Sequence, residues 1–363
     1  MHSYIDYIVA FILSFAVAVF ITPIVKILAI KIGATDQPNK RKIHKDIMPR
    51  LGGLAIFIGV IAGFLYLKPQ SMYMTEVVIG AIIIIIVGIL DDRFTLPAKY
   101  KFLGQLVAAI VVASSGLLIS KITVPFFGSI QLDYFSYPIT VLWIVAITNA
   151  INLIDGLDGL AAGVSSIAMT SILIMAIADS QIVVIALCTI LIGSSLGFLV
   201  HNFYPAKIFM GDTGALFLGY SISIISMLGL FKNITLFSFV IPVIVLAVPI
   251  FDTFFAIIRR FLNKRSIASP DKLHLHYCLV DLGFSHRAAV LVIYFFSACF
   301  GLSAIIFSNA TLWLSLLILI ILLLAIQFIA EIVGLIGMNR KPLINTFRRI
   351  MGIPTVKKPQ KDN

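Results

Sequence analysis

Residues 77–92 read Val-Val-Ile-Gly-Ala-Ile-Ile-Ile-Ile-Ile-Val-Gly-Ile-Leu-Asp-Asp, an apolar run that ends in two adjacent carboxylates. A helix rises 1.5 Å per residue, so a run of this kind is suited to crossing most of the hydrocarbon layer of a bilayer. A carboxylate at the edge of that layer costs free energy unless it meets water, a cation or a partner. The stretch therefore predicts a membrane-spanning helix whose end takes part in chemistry.

The same apolar character extends along the whole chain. Hydrophobic residues make up 60% of its 363 residues and charged residues 12%, and the mean hydropathy is +1.09. A soluble core of this size could not bury so much apolar surface, so the sequence predicts an all-α polytopic membrane protein. At roughly 20 apolar residues per span, about eleven candidates can be counted. They are 7–30, 52–67, 76–90, 104–119, 138–151, 162–178, 181–199, 213–230, 236–258, 288–308 and 312–336.

The distribution of basic residues predicts the orientation, because positively charged loops stay in the cytoplasm. With the N-terminus outside, the cytoplasmic segments hold all but four of the 27 Lys and Arg residues; the exceptions are Lys26, Lys68, Lys121 and Lys232. The C-terminus is then cytoplasmic. Topology and attraction to anionic membrane lipids explain the net charge of +11, and nucleic-acid binding is not needed to account for it.

No linker or change of composition divides the spans. We expect one integral catalytic domain at 1–336, followed by a basic cytoplasmic tail at 337–363. The longest external loop, 120–137, has the pattern of two short strands about a turn at Gly128 and Ser129, which predicts a small β-hairpin.

The carboxylates Asp91 and Asp92 are the first candidates for chemistry. The alternative is a hydrated helix end whose charge is neutralised by Arg93, Lys99 and Lys101. All the acids that end apolar runs fall on one predicted face of the membrane, and this favours a shared site.

A second motif places Asn149, Asn152, Asp155 and Asp158 at intervals of three residues after the fifth span. If this segment is helical, neighbours in the series share a face and the set can line a cleft. The glycines beside the two acids would let the backbone approach a ligand, or they simply end the span.

A third motif, residues 209–214, ends with Asp212, Thr213 and a glycine immediately before the eighth span. Asp212 or Thr213 would serve well as the N-cap of that helix. A carboxylate in this position can also hold a metal ion, because its lone pairs point in different directions.

Two basic loops complete the set. In the loop 259–287, His274 and His276 alternate on a strand-like segment after a Pro-Asp turn, so they could ligate a metal, contact phosphate or be exposed loop residues; the facing acids favour phosphate. The loop before the second span carries Lys45 and Arg50. It is mainly a signal for cytoplasmic orientation, although Pro49 and the glycines after it indicate a shaped approach to the span.

Together these motifs, in this order, resemble the polyprenyl-phosphate N-acetylhexosamine-1-phosphate transferase family, of the glycosyltransferase family 4 type. The resemblance implies transfer of N-acetylglucosamine-1-phosphate from UDP-GlcNAc to undecaprenyl phosphate, with release of UMP and use of Mg²⁺, or Mn²⁺ in its place. It is strongest with the branch that starts wall teichoic acid or related surface polymers. The phospho-MurNAc-pentapeptide transferase branch usually has three consecutive histidines where this chain has His274-Leu275-His276-Tyr277, which favours a HexNAc donor.

The same resemblance implies roles for single residues. Asp91 and Asp92 would be the reacting carboxylates, supported by Asp155, and Asp212 with Asn152 would bind the metal. The substrate-binding set would be Phe209 on uracil, Asp158 on its polar edge, Lys101, His274 and His276 on phosphates, with Asn149, Lys45 and Arg50. It places the enzyme in the cell membrane with a cytoplasmic active site, and it allows for a homodimer.

Two other classes compete with this interpretation. A cation-coupled transporter would use intramembrane acids along a pathway, and Asp252, inside the ninth candidate span, is the residue that fits it best. We expect Asp252 instead to make an interhelical contact near the site. A scaffold that binds lipid without chemistry is the other rival.

Overall fold

A computed structural model describes residues 3–36, 47–124, 128–229, 239–264 and 273–334. The described chain is mostly helical, with two small sheets. The helices are α1 Tyr4–Ile32, α2 Gly52–Leu67, α3 Met74–Phe94, α4 Ala98–Ser114, α5 Ser136–Ile154, α6 Leu160–Ala178, α7 Ile182–Asn202, α8 Gly211–Gly229, α9 Val240–Val245, α10 Ala247–Leu262, α11 Leu275–Asp281, α12 His286–Ser308 and α13 Leu312–Val333.

Within the described residues, eight helices are long and apolar enough to cross a membrane. They are α1, α3, α5 with the turn before it, α6, α7, α8, α12 and α13. Helix α2 is apolar but shorter. The protein is thus an all-α polytopic membrane protein, as predicted, whereas the number of about eleven spans and the orientation stay predictions.

Helix α8 is the centre of the bundle. Of its most apolar stretch 94% is buried inside the protein, against 6% for α13. Close packing follows from small residues: a Cβ on Gly53 of α2 would lie 1.9 Å from the backbone nitrogen of Gly214 of α8. On α3, a Cβ on Gly88 would lie 2.4 Å from the Cα of Thr213. These glycines let the backbones approach, which brings the end of α3 beside the start of α8.

The ninth predicted span, 236–258, is not continuous in its described part. Helix α9 ends at Val245 and α10 begins at Ala247, with Leu246 between them. Pro249 explains the break, because a proline ring clashes with the carbonyl of the fourth residue before it, here Val245. In the first turn of α10 the missing proline N–H costs little.

The predicted hairpin is confirmed, while its external location stays a prediction. Strands β3 (Lys121–Val124) and β4 (Gly128–Gln131) pair antiparallel, with Lys121 opposite Gln131 and Val124 opposite Gly128. The predicted turn position was wrong by a few residues: Gly128 and Ser129 begin the second strand, because both pair with residues of the first.

A second two-stranded sheet, which the sequence did not indicate, joins β1 (Thr35–Asp36) to β2 (Met48–Pro49) after α1. This sheet fixes the conformation of the segment that leads into α2, as Pro49 suggested. The predicted basic tail and Lys45 lie outside the described residues.

Candidate active site

The ends of α3 and α8 bring three carboxylates together. One oxygen each of Asp91, Asp92 and Asp212 can be chosen so that all three atoms lie within 4.8 Å of one another. Asp91 and Asp92 are buried and Asp212 is half-buried. Acids from distant parts of the sequence thus form a single group at one end of the bundle, as the sequence predicted.

Asp92 is fully engaged with the first turn of α8. Its Oδ1 accepts the Asp212 N–H at 2.8 Å, and its Oδ2 accepts the Thr213 N–H at 3.0 Å and the Thr213 hydroxyl at 2.6 Å. The first N–H groups of a helix lack partners within the helix, so Asp92 acts as its cap from another helix. The alternative that Asp212 caps α8 is therefore wrong, and the Asp212 side chain is left for other contacts.

Asp91 has different partners. Its Oδ1 accepts the Leu96 N–H at 2.8 Å, and its Oδ2 accepts from the Lys101 ammonium at 3.2 Å. The Lys101 ammonium also contacts an oxygen of Asp212. Lys101 therefore bridges the acid that ends α3 and the acid that begins α8.

Arg50 lies just before α2 and approaches the same acids from that segment. Its guanidinium lies 3.6 Å from Asp92, 3.8 Å from Asp212 and 3.6 Å from Asp36. Burial lowers the pKa of Arg50, but Asp92, Asp212 and the other acids outweigh that effect, so the net pKa is raised. The backbone holds Arg50 in place, because it forms a parallel β-bridge with Phe209.

We refer to Asp91, Asp92 and Asp212, with Lys101 and Arg50, as the carboxylate centre. Three acids face two bases, and hard carboxylate oxygens are the ligands that Mg²⁺ and Mn²⁺ prefer. The donor set therefore suits a divalent cation. It shares Asp212 with the predicted metal pair; the other member, Asn152, lies half-buried in the last turn of α5, and its metal role stays a prediction.

The series of four polar residues does not remain helical. Helix α5 ends at Ile154, so Asn149 and Asn152 are helical whereas Asp155 and Asp158 lie in the following loop. Burial, and then the charges of Asp212 and Asp92, raise the pKa of Asp155 to about 8. Asp155 therefore lies in the field of the carboxylate centre.

Asp158 holds the loop 155–159 to two other segments. Its Oδ2 accepts the Ala206 N–H at 3.0 Å, and its own N–H donates to Nε2 of His286 at 2.9 Å. One carboxylate oxygen thus has a protein partner before any nucleobase arrives. The predicted contact of Asp158 with uracil would use the other oxygen or the remaining lone pair of this one.

Asn149 pairs with Gln105 of α4. The two carboxamides exchange hydrogen bonds, and the Asn149 amide also donates to the Val145 carbonyl at 2.8 Å. These contacts join α4 to α5, and on α4 they lie one helical turn after Lys101. The predicted substrate contact of Asn149 stays a prediction, while its observed partners are interhelical.

The histidines do not alternate along a strand as predicted. His274 is the residue before α11, and His276 lies in the first turn of that helix. Their rings are parallel, with centroids 5.9 Å apart and an interplanar angle of 4°. Backbone hydrogen bonding from His274 starts the helix, since its carbonyl accepts the Cys278 N–H at 3.0 Å.

His276 packs on the loop after α5. A Cβ on Gly156 would lie 2.1 Å from Nε2 of His276, so only glycine leaves room for this ring. That nitrogen is buried and has no hydrogen-bond partner. Burial lowers the pKa of His276 to about 4, which keeps the ring neutral at neutral pH.

Asp252 makes the interhelical contact that we expected. Its two oxygens lie 2.8 Å from Nδ1 of His274 and 2.7 Å from the N–H of Leu275. We refer to Asp252, His274, His276 and Gly156 as the histidine layer.

Sequence reasoning missed two partners, Gln105 and His286. A glutamine within an apolar span was a usable signal, since a buried amide needs a partner. Nothing near His286 in the sequence pointed to Asp158, which lies 128 residues away.

Comparison with known proteins agrees with this geometry. Residues 74–230, which include most of the carboxylate centre, match the profile described as glycosyl transferase family 4. A Bacillus subtilis (strain 168) protein named as a probable undecaprenyl-phosphate N-acetylglucosaminyl 1-phosphate transferase is 56% identical over 349 residues, covering 95% of this chain and 97% of that protein.

Two further relatives carry related names. A decaprenyl-phosphate N-acetylglucosaminephosphotransferase of Mycolicibacterium smegmatis is 38% identical over 79% of each chain. An undecaprenyl-phosphate alpha-N-acetylglucosaminyl 1-phosphate transferase of Escherichia coli (strain K12) is 29% identical over 73% of this chain and 74% of its own. With motifs, site and relatives in agreement, the chain belongs to glycosyl transferase family 4, as a multi-pass membrane protein of the polyprenyl-phosphate N-acetylglucosaminyl 1-phosphate transferase type.

Proposed function

We propose that the protein transfers N-acetylglucosamine-1-phosphate from UDP-GlcNAc to undecaprenyl phosphate. The products are undecaprenyl-diphospho-GlcNAc and UMP. The relatives' names support the acceptor and the sugar phosphate. The motif resemblance supports a place as the first membrane step of wall teichoic acid or a related surface polymer.

The observation that carries the proposal is the carboxylate centre. Its acids belong to the ends of two apolar helices, where a lipid phosphate held by its chain can meet a nucleotide that arrives from water. A transporter would instead need acids along a pathway near the middle of the membrane.

Of the three acids, Asp91 and Asp212 are the residues that would hold Mg²⁺, because both oxygens of Asp92 accept hydrogen bonds from the first turn of α8. When bound, the ion would neutralise phosphate oxygens that otherwise repel one another. Lys101 and Arg50 would add positive charge at the same point, which matters because two anionic substrates must approach three carboxylates.

The acceptor needs little help to become a nucleophile. A phosphate monoester has a second pKa near 6, so it is mostly ionised at neutral pH. We therefore assign direct attack by a lipid phosphate oxygen on the sugar-bearing phosphorus of the donor. The new P–O bond forms as the bond to the other phosphate of the diphosphate breaks, and UMP leaves with that electron pair.

The two adjacent acids, Asp91 and Asp92, would then have different roles. Asp91, which contacts the Lys101 ammonium, can accept a proton from the protonated fraction of the acceptor. Asp92, held by the first turn of α8, would position that helix and with it Asp212. Asp155 would support the site as a neighbouring acid.

A panel of donors tests the function. Purified protein in detergent, with Mg²⁺ and undecaprenyl phosphate, should release UMP from UDP-GlcNAc faster than from UDP-GalNAc or UDP-MurNAc-pentapeptide. Without the prenyl phosphate, release should stop. Release from the pentapeptide donor alone would assign the chain to the other transferase branch, and no release from any donor would favour the transporter or the scaffold.

Cysteine labelling tests the cytoplasmic site. In a Cys299→Ser background, an impermeant thiol reagent added to intact cells should label Ser129→Cys in the hairpin and not Lys99→Cys near the carboxylate centre; both positions are exposed. The reverse pattern would overturn the orientation.

A further inference from the structure

Asp252 is a buried acid that the proposed reaction does not use. It is 3% exposed and lies on α10 beside an apolar cavity lined by Phe251, Phe255, Phe296 and Phe300 among others. An ionised carboxylate in such surroundings is costly unless each oxygen has a partner. Something in the protein must therefore compensate for its burial.

Both partners belong to the start of α11. One oxygen accepts the Leu275 N–H and the other faces Nδ1 of His274. The first contact caps a helix. The second is different in kind, because an acid on one ring nitrogen decides what the other nitrogen can offer to a ligand.

The neighbouring histidine provides an internal comparison. His276 has a buried, unpartnered Nε2 that faces Gly156. His274 is stacked parallel to it and has Asp252. Two histidines with the same predicted role are thus in opposite situations, and of the two only His274 has a carboxylate on a ring nitrogen in the described part of the chain.

We propose that Asp252 is a positioning residue for phosphate transfer: its carboxylate accepts from Nδ1–H of His274, which fixes the ring and favours the imidazolium form, whose Nε2–H donates to a phosphate of the nucleotide donor. This inference rests on the proposed function. It assigns the phosphate contact to His274 and leaves His276 as a packing residue on the loop 155–159. It also gives Asp252 a reason to be an acid, since a helix cap alone would need only a neutral acceptor.

A double-mutant cycle tests the proposal. Asp252→Asn keeps an oxygen for the Leu275 N–H but loses the charge that faces His274. We expect kcat for UMP release from UDP-GlcNAc to fall about tenfold or more. The KM for undecaprenyl phosphate should stay within about twofold, because the lipid acceptor does not depend on this contact.

The second arm is His274→Ala, alone and combined with Asp252→Asn. If Asp252 acts through His274, the Asp252→Asn change has no further effect on kcat in the His274→Ala background. Asp6→Asn on α1 is the matched control, because Asp6 is also an acid that accepts a backbone N–H at the start of a helix, that of Ser3 at 2.6 Å. It should leave kcat unchanged.

Independent effects of the two substitutions on kcat would overturn the inference. So would an Asp252→Asn protein with normal kcat and a lower melting temperature, or one that cannot be obtained folded, since either would assign Asp252 to the fold alone. Failure of the proposed function is a separate result: the unmodified protein would then not release UMP from UDP-GlcNAc, and the cycle would be measured with the donor of the panel that does react.

Discussion

In the carboxylate centre, three acids face two basic side chains. They come from the end of α3 and from the starts of α2, α4 and α8, and every charge has several partners. In the histidine layer each polar group has few partners: Asp252 holds His274, and His276 has none for its buried nitrogen. The first arrangement can exchange a protein cation for a substrate or metal with little change elsewhere. The second has no such freedom, because each contact is specific.

This difference teaches which residues should be sensitive to chemistry and which to packing. Changes at Asp91 and Asp212 should act mainly on turnover, whereas Asp92 also caps α8 and its loss should lower stability as well. Changes in the histidine layer should act through shape and orientation, since its groups are tightly packed.

The largest expected effect is on Asp212. Replacing it by alanine removes a ligand from the carboxylate centre and leaves the cap of α8, which Asp92 provides, in place. We expect UMP release to fall by at least roughly a hundredfold while the melting temperature changes little. A Mg²⁺ titration of initial rates measures the effect.

The control for Asp212 is Asp179→Ala, which changes an acid at the far end of α6 and should leave the Mg²⁺ titration unchanged. Normal Mg²⁺-dependent turnover in the Asp212→Ala protein would contradict the metal assignment.

Gly156→Ala tests the histidine layer by changing its packing. The new methyl group would lie 2.1 Å from Nε2 of His276, and such overpacking typically costs about 1–3 kcal/mol of the free energy of unfolding. Denaturation in detergent measures the loss. Adding His276→Ala to Gly156→Ala should recover part of it, because the ring that clashes is gone.

Gly229→Ala is the matched control for this pair, since its nearest neighbour is the flexible end of Gln181 at 3.0 Å. If the double variant were less stable than Gly156→Ala by the full cost of His276→Ala, the contact between the ring and the loop would not be the cause.

Asp92 and Asp91 should differ in stability although they are adjacent. Asp92→Ala leaves the N–H groups of Asp212 and Thr213 without their acceptor, whereas Asp91→Ala leaves that of Leu96. Loss of a helix cap costs about 0.5–2 kcal/mol. We therefore expect Asp92→Ala to be the less stable protein in denaturation measured without Mg²⁺.

Thr213→Val is a useful reference for the Asp92 result, because it removes only the hydroxyl donor to Asp92 and should be the mildest of the three. Equal stability of the Asp91→Ala and Asp92→Ala proteins would rule out a capping role for Asp92.

The smallest effect, taken per pH unit, is on the pH dependence of stability, where Asp155 of the loop 155–159 and His276 of the histidine layer should have opposite signs. The pKa of Asp155 is raised from 3.8 to about 8, so its contribution to stability is lost as the pH rises through that range. The pKa of His276 is lowered from 6.5 to about 4, so its contribution is lost as the pH falls from about 6.5. Neither slope can exceed about 1.4 kcal/mol per pH unit.

Denaturation of the protein in EDTA at several pH values tests both signs. Asp155→Asn should flatten the profile between pH 6.5 and 8, and His276→Gln should flatten it on the acid side. A profile for Asp155→Asn that still matches the unmodified protein above pH 6.5 would show that Asp155 is already ionised there.

Much of this could be predicted from sequence because the signals are local. The apolar runs, the acids at their ends and the Gly-Asp-Thr step before α8 each follow from a few neighbouring residues. Errors arose where packing overrules the local pattern. His274 and His276 resembled a strand segment, but His274 begins a short helix because Asp252 supplies its first N–H acceptor.

The different roles of Asp91 and Asp92 could not be predicted from the sequence pattern either. The two side chains are identical, and they differ only in the groups that they contact in the folded protein. Gly88 lets α8 lie close to α3. Asp92 then faces the first-turn N–H groups of α8, while Asp91 faces Lys101. A distance in space, and no feature of the dipeptide, sets the difference.

The sequence by itself determined that this chain is a helical membrane protein of a known transferase family, and that its acids cluster at helix ends. Those properties depend on residue type and spacing, which a one-dimensional pattern retains. The tertiary structure alone decided which acid caps α8, which base bridges the centre and which histidine has a carboxylate. These depend on contacts across up to 121 residues, and only the packed chain brings such groups within the reach of a hydrogen bond.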